Sequence, residues 1–212
     1  MKAAPFVRVG LIGLTALLAL APQASTYAGD KVDPATLIPP PPPEFNPVCT
    51  TVDTGVLCHV EFSDPLQGDQ GAGFSCQAGA ATYEAMSNQT RSVNGIRWYD
   101  HDLKLTEKRY SEYLNGVYKN PLSGASVNYS GKDVVHVLLT VPGDTNTGTV
   151  TVTGLTQQVF GHDGRPVLVD LGVSMYAGDG TFISHTGEHP FDDYFLLGDT
   201  DALQPICDAL AS

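Results

Sequence analysis

Basic residues are scarce in this chain of 212 residues: 11 Lys and Arg stand against 23 Asp and Glu, which gives a formal net charge of −12. No Lys or Arg follows Arg165. An acidic surface repels nucleic acid and anionic lipid, so the composition argues against both as partners. Cations or basic partners suit such a surface better. The expected partner is a small molecule or a partner outside the cell or on a cell surface.

The sequence also lacks the signatures of several enzyme and metal-binding classes. No serine stands in the Gly-x-Ser-x-Gly pattern of α/β hydrolases, and no glycine-rich loop is followed by Lys and Ser or Thr. No Cys-x-x-Cys spacing points to zinc. These absences favour a binding protein over an enzyme.

A long apolar run occurs only at the start of the chain. Lys2 and Arg8 precede an uncharged, mostly apolar stretch over 9–21, and Thr26-Tyr27-Ala28 places small residues at positions −3 and −1 of a cut after Ala28. This layout predicts a signal peptide over 1–28 and therefore secretion; an uncleaved anchor is the alternative. Cleavage would leave nine basic and 23 acidic residues, a formal charge of −14.

Proline-rich sequence follows the predicted cleavage site. Residues 29–47 include five consecutive prolines, Pro39 to Pro43. Such a run favours an extended polyproline II segment without a packed core, so we expect residues 29–47 to be a disordered spacer. Residues 48–212 then suit a single β-rich domain with one core.

The chain has four cysteines, namely Cys49, Cys58, Cys76 and Cys207. An even number in an exported chain predicts two disulfides, for which three pairings exist. We favour Cys49–Cys58 and Cys76–Cys207. A four-residue hairpin loop would set Cys49 opposite Cys58, whereas a three-residue loop would turn Cys49 to the other face.

Turn residues recur about every twelve positions from residue 48 onward, which predicts an all-β fold: an antiparallel β-barrel or β-sandwich of about eight strands. Residues 87–95 are polar and turn-like. Residues 103–119 favour a long strand or strand pair, with helix as the alternative over 103–114. An apolar stripe with i, i+3, i+4, i+7 spacing predicts a short C-terminal helix and comprises Leu203, Ile206, Cys207 and Leu210.

Aromatic side chains are the best candidates for ligand binding in such a fold. The mouth or interior of a barrel can hold a small apolar ligand, and amphipathic rings are suited to line it. The expected ligand-binding residues are Trp98, Tyr99, Tyr110, Tyr113 and His136. The sequence therefore predicts a secreted, non-enzymatic binding or interaction module. Two alternatives are a dirigent or cyclase-like β-barrel enzyme acting on a small apolar molecule, and a structural protein of the cell surface.

No cofactor is expected, and calcium is the alternative. The acidic residues near the C-terminus supply clustered oxygen ligands of the kind that calcium prefers, at Asp192, Asp193, Asp199 and Asp201. In an extended segment, His185 and His189 would share one face, a geometry that is compatible with copper or zinc.

Several turn motifs together resemble a known group of proteins. They are Asn120-Pro-Leu-Ser-Gly124, Val141-Pro-Gly-Asp144, a Thr/Val strand at 149–154, Asp-Gly hairpins, Gly187-Glu-His-Pro-Phe-Asp192 and a C-terminal Cys-x-Ala-Leu. Over roughly 105–212 the chain resembles small secreted β-rich proteins of unknown function from high-GC Gram-positive bacteria. The resemblance implies secretion and a β-rich fold, and it supplies no catalytic residues.

Overall fold

The computed structural model describes residues 29–64 and 68–211; the predicted signal peptide, residues 1–28, lies outside them. Strands dominate the described chain. They are β1 (Lys31–Val32), β2 (Val48–Val52), β3 (Gly55–Asp64), β4 (Gln70–Ala78), β5 (Ala81–Tyr99), β6 (Leu105–Lys119), β7 (Ser126–Leu138), β8 (Thr149–Phe160), β9 (Pro166–Ala177) and β10 (Phe182–Glu188). Two short helices follow, α1 (Pro190–Leu197) and α2 (Gln204–Ala211).

All ten strands belong to one antiparallel sheet in the order β1-β2-β3-β5-β6-β7-β8-β9-β10, and β4 pairs with the first part of β5. The sheet does not close on itself. The all-β prediction is therefore confirmed in its sandwich-like rather than its closed-barrel form, with ten strands where about eight were expected. No helix within the described residues is long and apolar enough to cross a membrane.

The longest strands correct two predictions from the sequence. Residues 87–95, expected to be a turn, lie inside the 19-residue β5, where they pair with β3, β4 and β6. The helix alternative over 103–114 is wrong because β6 is continuous and pairs with β5 on one side and β7 on the other. Backbone hydrogen bonds to two neighbouring strands outweigh the local preferences of these polar segments.

Both predicted disulfides are present. Cys49 of β2 lies opposite Cys58 of β3 and is bonded to it. Cys76 of β4 is bonded to Cys207 of α2, which ties residues 131 positions apart. Disulfides are typical of proteins from oxidising compartments rather than from the cytosol.

One face of the sheet, here called the inner face, carries both apolar cores. At one end α2 packs against β4, β7 and β9. The core there contains Phe74, Tyr83, Tyr118, Tyr129, Val159, Leu168, Leu203, Ile206 and Leu210. The core at the other end contains Leu37, Cys49, Val56, Cys58, Tyr99, Leu105, Val137 and Leu139.

The N-terminal segment is ordered and covers the second core, although the sequence predicts a disordered spacer at 29–47. Leu37 is 2 % exposed, and the backbone of Ile38 exchanges hydrogen bonds with Leu103 and Leu105. Further along, the Tyr99 hydroxyl donates to the Pro39 carbonyl, and Phe45 stacks on Phe62 at 5.0 Å between ring centroids. Pro41 is buried and Pro43 begins a single 3-10 turn, so the run of prolines lies on the sheet instead of in solvent.

Candidate functional site on the inner face

Strand register aligns the inner-face side chains into three rows that run from the edge of the second core toward the first. The first row is Cys58, Arg97, Lys108, Val137, Val150, Tyr176 and Phe182. The second row is Val60, Gly95, Tyr110, Val135, Val152, Ser174 and His185. The third row is Phe62, Val93, Glu112, Asp133, Gly154, Gly172 and Gly187. Polar and charged residues thus occupy the middle of a face whose two ends are apolar.

Two cations lie side by side at the β5–β6 end of the first row. Arg97 is only 6 % exposed, yet its Nε and Nη1 have no hydrogen-bond partner among the described residues. Lys108 lies directly opposite it in the register. Burial, aided by the neighbouring Arg97 charge, lowers the pKa of Lys108. Within the described chain, neither residue forms an ion pair.

Two tyrosines border this cation pair. The ring of Tyr110 lies over Gly95, where any side chain would collide with it. Tyr99 is buried two residues beyond Arg97 on the same strand face. Burial raises the pKa of both phenols, that of Tyr99 to about 12, while the Arg97 charge acts in the opposite direction. Both phenols are therefore neutral, and neither can compensate the charge of Arg97.

An apolar patch adjoins the cations on β7 and β8. It is formed by Val135, Val137, Val150 and Val152, called here the valine patch. Val137 is buried, and the other three are half-buried. The patch separates the cationic end of the rows from a second polar group on β9, β10 and α1.

That second group is centred on His189, which is buried just before α1. Its Nδ1 lies 3.0 Å from Asp170 Oδ1, and its Nε2 lies 3.1 Å from the Thr186 carbonyl oxygen. A carbonyl only accepts, so Nε2 carries a proton. Nδ1 faces the Asp170 carboxyl group, so His189 is hydrogen-bonded through both ring nitrogens. Burial raises the pKa of Asp170, opposed by hydrogen bonds from the Phe191 amide and His189.

Asp192 connects this pair to the second row. It accepts hydrogen bonds from the Ser174 hydroxyl and, at 2.9 Å, from the Tyr176 hydroxyl. Burial, with the nearby Asp192 carboxylate, raises the pKa of Tyr176 to about 12. The ring of His185 stacks on that of His189, with centroids 5.1 Å apart. The group is held together internally and fastens the start of α1 to β9.

Asp170, His189 and Ser174 do not have the geometry of a hydrolytic triad. In such a triad the carboxylate and the serine use different ring nitrogens, and the serine proton passes to the histidine. Here Asp170 and Ser174 both approach Nδ1, while Nε2 is occupied by the Thr186 carbonyl. Ser174 donates to Asp192 instead. The arrangement is suited to positioning α1 rather than to activating a nucleophile.

The third row brings carboxylates together next to three glycines. Glu112 is paired with Arg91 through three nitrogen–oxygen contacts, two of 2.7 Å and one of 3.2 Å. Asp133 lies opposite Glu112, and its Oδ1 is buried without a partner among the described residues. Burial and the Glu112 charge raise the pKa of Asp133 to about 6. Beyond it, His189 occupies the space that a side chain at Gly172 would need.

The five predicted ligand-binding residues are divided between the two faces of the sheet. Tyr99 and Tyr110 lie on the inner face beside Arg97. The register places Trp98, Tyr113 and His136 on the outer face. There Lys132 lies 5.2 Å from the Tyr113 ring centroid, and His136 pairs with Glu107 at 2.7 Å. The structure therefore brings two of the five together and separates them from the other three.

Three of the four aspartates proposed for calcium have other partners. Asp192 binds Ser174 and Tyr176, and Asp193 lies 3.6 Å from His185 Nε2. The Asp199 carboxylate accepts from the backbone amide of Asp201 within its own turn. Among the described residues, no group of three or more His, Cys, Asp or Glu side chains is placed to hold a metal ion. Calcium binding stays a prediction.

Arg97 and Lys108 were not predicted from the sequence as a site, because each is an ordinary basic residue in a segment rich in bases. The sequence feature that could have revealed the site is the alternation Val93-x-Gly95-x-Arg97-x-Tyr99, which places a cation at an apolar position of β5. Members of the His189 group were considered separately, His185 and His189 as a pair compatible with copper or zinc and Asp192 as a calcium ligand, but the group itself was not predicted. Its signal is the proximity of two histidines to two aspartates on either side of Pro190.

Comparisons of the chain with protein-family models, with curated proteins and with solved structures each found no match. The resemblance to secreted β-rich bacterial proteins therefore stays a prediction.

Proposed function

We propose that the chain is an extracellular, non-enzymatic binding module that holds a small molecule on the middle of its inner face. The observation that carries the proposal is Arg97, a buried arginine whose Nε and Nη1 have no hydrogen-bond partner within the described chain, beside partly exposed apolar side chains. Polar groups buried in proteins are normally paired, and an unpaired one often marks a place where a ligand or water binds.

Three further features support this proposal. The valine patch and Tyr110 are half-buried, so a ligand can displace water from apolar surface there. The two disulfides and the sequence of residues 1–28 fit a protein that works outside the cell. The hydrogen bonds of His189 and Ser174 favour a structural role over catalysis.

The test uses Nile red, a neutral apolar dye whose fluorescence rises in apolar sites. The full chain with both disulfides formed is titrated with the dye at pH 7. We expect saturable binding of one dye per chain. Val152→Trp fills the inner face and is expected to abolish binding. Leu138→Trp places the same ring on the outer face of β7, where Leu138 is 52 % exposed, and serves as the matched control.

Circular dichroism and melting temperature establish that each variant is folded before it is titrated. Absence of saturable binding by the unmodified chain would contradict the proposal. So would an equal loss of binding in the folded Val152→Trp and Leu138→Trp variants, because the outer face would then matter as much as the inner one.

A further inference from the structure

We infer that the ligand is a small carboxylic acid with an apolar body, its carboxylate bound by Arg97 and Lys108 and its body lying on the valine patch. The inference rests on the proposed function and adds the chemical class of the ligand. It goes beyond the expectation of an apolar molecule, because the inner face carries two uncompensated positive charges.

Arg97 and Lys108 form an unfavourable pair in the unliganded chain. Arg97 is only 6 % exposed, and a buried guanidinium that lacks partners for Nε and Nη1 destabilises the fold unless something binds it. Lys108 beside it adds a like charge, and the two repel each other. In a chain with twice as many acids as bases, no described acidic side chain has been placed against this pair. An anion from outside the chain would satisfy both cations.

The chemistry of the surroundings selects the kind of anion. A guanidinium matches the planar, two-oxygen geometry of a carboxylate. The half-buried Tyr110 on one side and the half-buried members of the valine patch on the other offer apolar contact, which a hydrated inorganic anion cannot use. The site is therefore complementary to a molecule with a charged end and an apolar end.

The register gives the approximate length of the apolar part. Lys108 lies on β6, and the four valines lie on β7 and β8, the next two strands. Adjacent strands are about 4.8 Å apart, so the valine patch extends about 10 Å from the cation pair. Tyr176 and Ser174 on β9 bound the patch at its far end. A medium-length alkyl chain or a single aromatic ring system fits this distance.

The experiment compares decanoate with its neutral analogue decanol. Each is titrated by calorimetry into the full, disulfide-bonded chain at pH 7, below the critical micelle concentration of decanoate. We expect decanoate to bind at least about tenfold more tightly than decanol, because charge-assisted hydrogen bonds to the carboxylate have no counterpart in the alcohol.

Variants then test which side chains cause decanoate to bind more tightly than decanol. Arg97→Met keeps the length of the side chain and removes its charge; it is expected to reduce the preference for decanoate to about threefold or less while decanol binds as before. It is also expected to raise the melting temperature of the unliganded chain, since an unpartnered buried cation is gone. Lys108→Met is a second variant, with a smaller expected loss. Arg109→Gln, exposed on the outer face of β6, is the matched control and is expected to change neither affinity.

The outcomes separate this inference from the proposed function. If Nile red and decanol bind but decanoate binds no better than decanol, the inference is wrong and the binding function stands. The inference is also wrong if Arg109→Gln lowers decanoate affinity as much as Arg97→Met does, or if both inner-face variants keep the full preference. If none of the three probes binds, both the inference and the proposed function fail.

Discussion

Single side chains on the inner face carry charges that the fold leaves partly uncompensated. Arg97 and Lys108 are the cationic example, and Asp133 is the acidic one. Each lies on the inner face directly opposite a residue whose charge has the same sign. Such residues lower stability, so their presence is best explained by a role other than holding the fold together.

Asp133 provides a pH-dependent prediction. Its folded pKa of about 6 lies above the unfolded value of 3.8, so the folded state binds a proton more tightly than the unfolded state. The protonated Asp133 carboxyl therefore contributes its full stabilisation of the folded state below about pH 4. The folded state loses this stabilisation as the pH rises through about 6. Asp133→Asn should therefore stabilise the chain at pH 7 by about 1–2 kcal/mol, after allowance for its partial exposure, and have little effect at pH 4.

Urea unfolding at pH 4 and pH 7 measures this difference. Asp163→Asn on an exposed turn is the control and should leave the pH dependence unchanged. An Asp133→Asn variant that is no more stable than the parent at pH 7 would show that the carboxyl is not held in an unfavourable environment.

At the scale of elements, the third row shows how the sheet accommodates His189. Gly154, Gly172 and Gly187 are aligned on β8, β9 and β10, and each has a positive φ. A Cβ at Gly172 would overlap the Thr186 carbonyl and lie 2.6 Å from His189 Nε2. The missing side chain is what permits the histidine that precedes α1 to pack against β9.

Gly172→Ala is accordingly expected to destabilise the chain by about 3 kcal/mol or more, because both the backbone conformation and the space are unsuitable. Gly180→Ala is the matched control: its φ is +88°, but no heavy atom lies within 4 Å of the added Cβ. It should cost only about 1 kcal/mol. Denaturant midpoints measure both, and equal losses would exclude a packing role for the glycine row.

The N-terminal segment supplies a second prediction at this scale. Leu37 belongs to the second core, so Leu37→Ala should reduce the free energy of unfolding by about 2–4 kcal/mol. Ile38, its neighbour, is 52 % exposed, and Ile38→Ala should cost less than about 1 kcal/mol. Thermal and urea unfolding compare the two. A Leu37→Ala variant as stable as the parent would mean that residues 29–47 behave as the spacer expected from their prolines.

The sequence predicts an element well where neighbouring residues determine its conformation. It predicts an element poorly where pairing with strands distant in the sequence determines it. The stripe from Leu203 to Leu210 predicts α2, and the hairpin between β2 and β3 is consistent with the Cys49–Cys58 pair. Residues 87–95 were expected to turn because polar residues crowd there, but β3 and β6 hold them extended. The inner face itself depends on the register of seven strands, which local patterns do not encode.

At the scale of the whole molecule, the open sheet is held around its cores by the C-terminal helices and by one long-range covalent link. α2 fills the inner face at one end, and the Cys76–Cys207 disulfide joins it to β4. Phe74 of β4 also packs edge-on against Tyr194 of α1, with centroids 6.4 Å apart. These contacts bridge the side of the sheet that strand pairing leaves open.

Removal of the two disulfides should therefore have unequal effects. In the chain-entropy treatment, loss of Cys76–Cys207 costs about 5 kcal/mol and loss of Cys49–Cys58 about 3 kcal/mol, because the first closes a loop of more than a hundred residues. Paired Cys→Ser variants compared by urea unfolding test this. A larger loss for the Cys49/Cys58 pair would indicate that the C-terminal link is not what holds the molecule together.

The central claim, that the inner face between the two cores binds a small carboxylic acid, is tested most directly by nuclear magnetic resonance on the complex with decanoate. We predict intermolecular nuclear Overhauser effects from the alkyl chain to the ring of Tyr110 and to the methyl groups of the valine patch. Effects to Trp98, Tyr113 or His136 on the outer face instead would contradict the account.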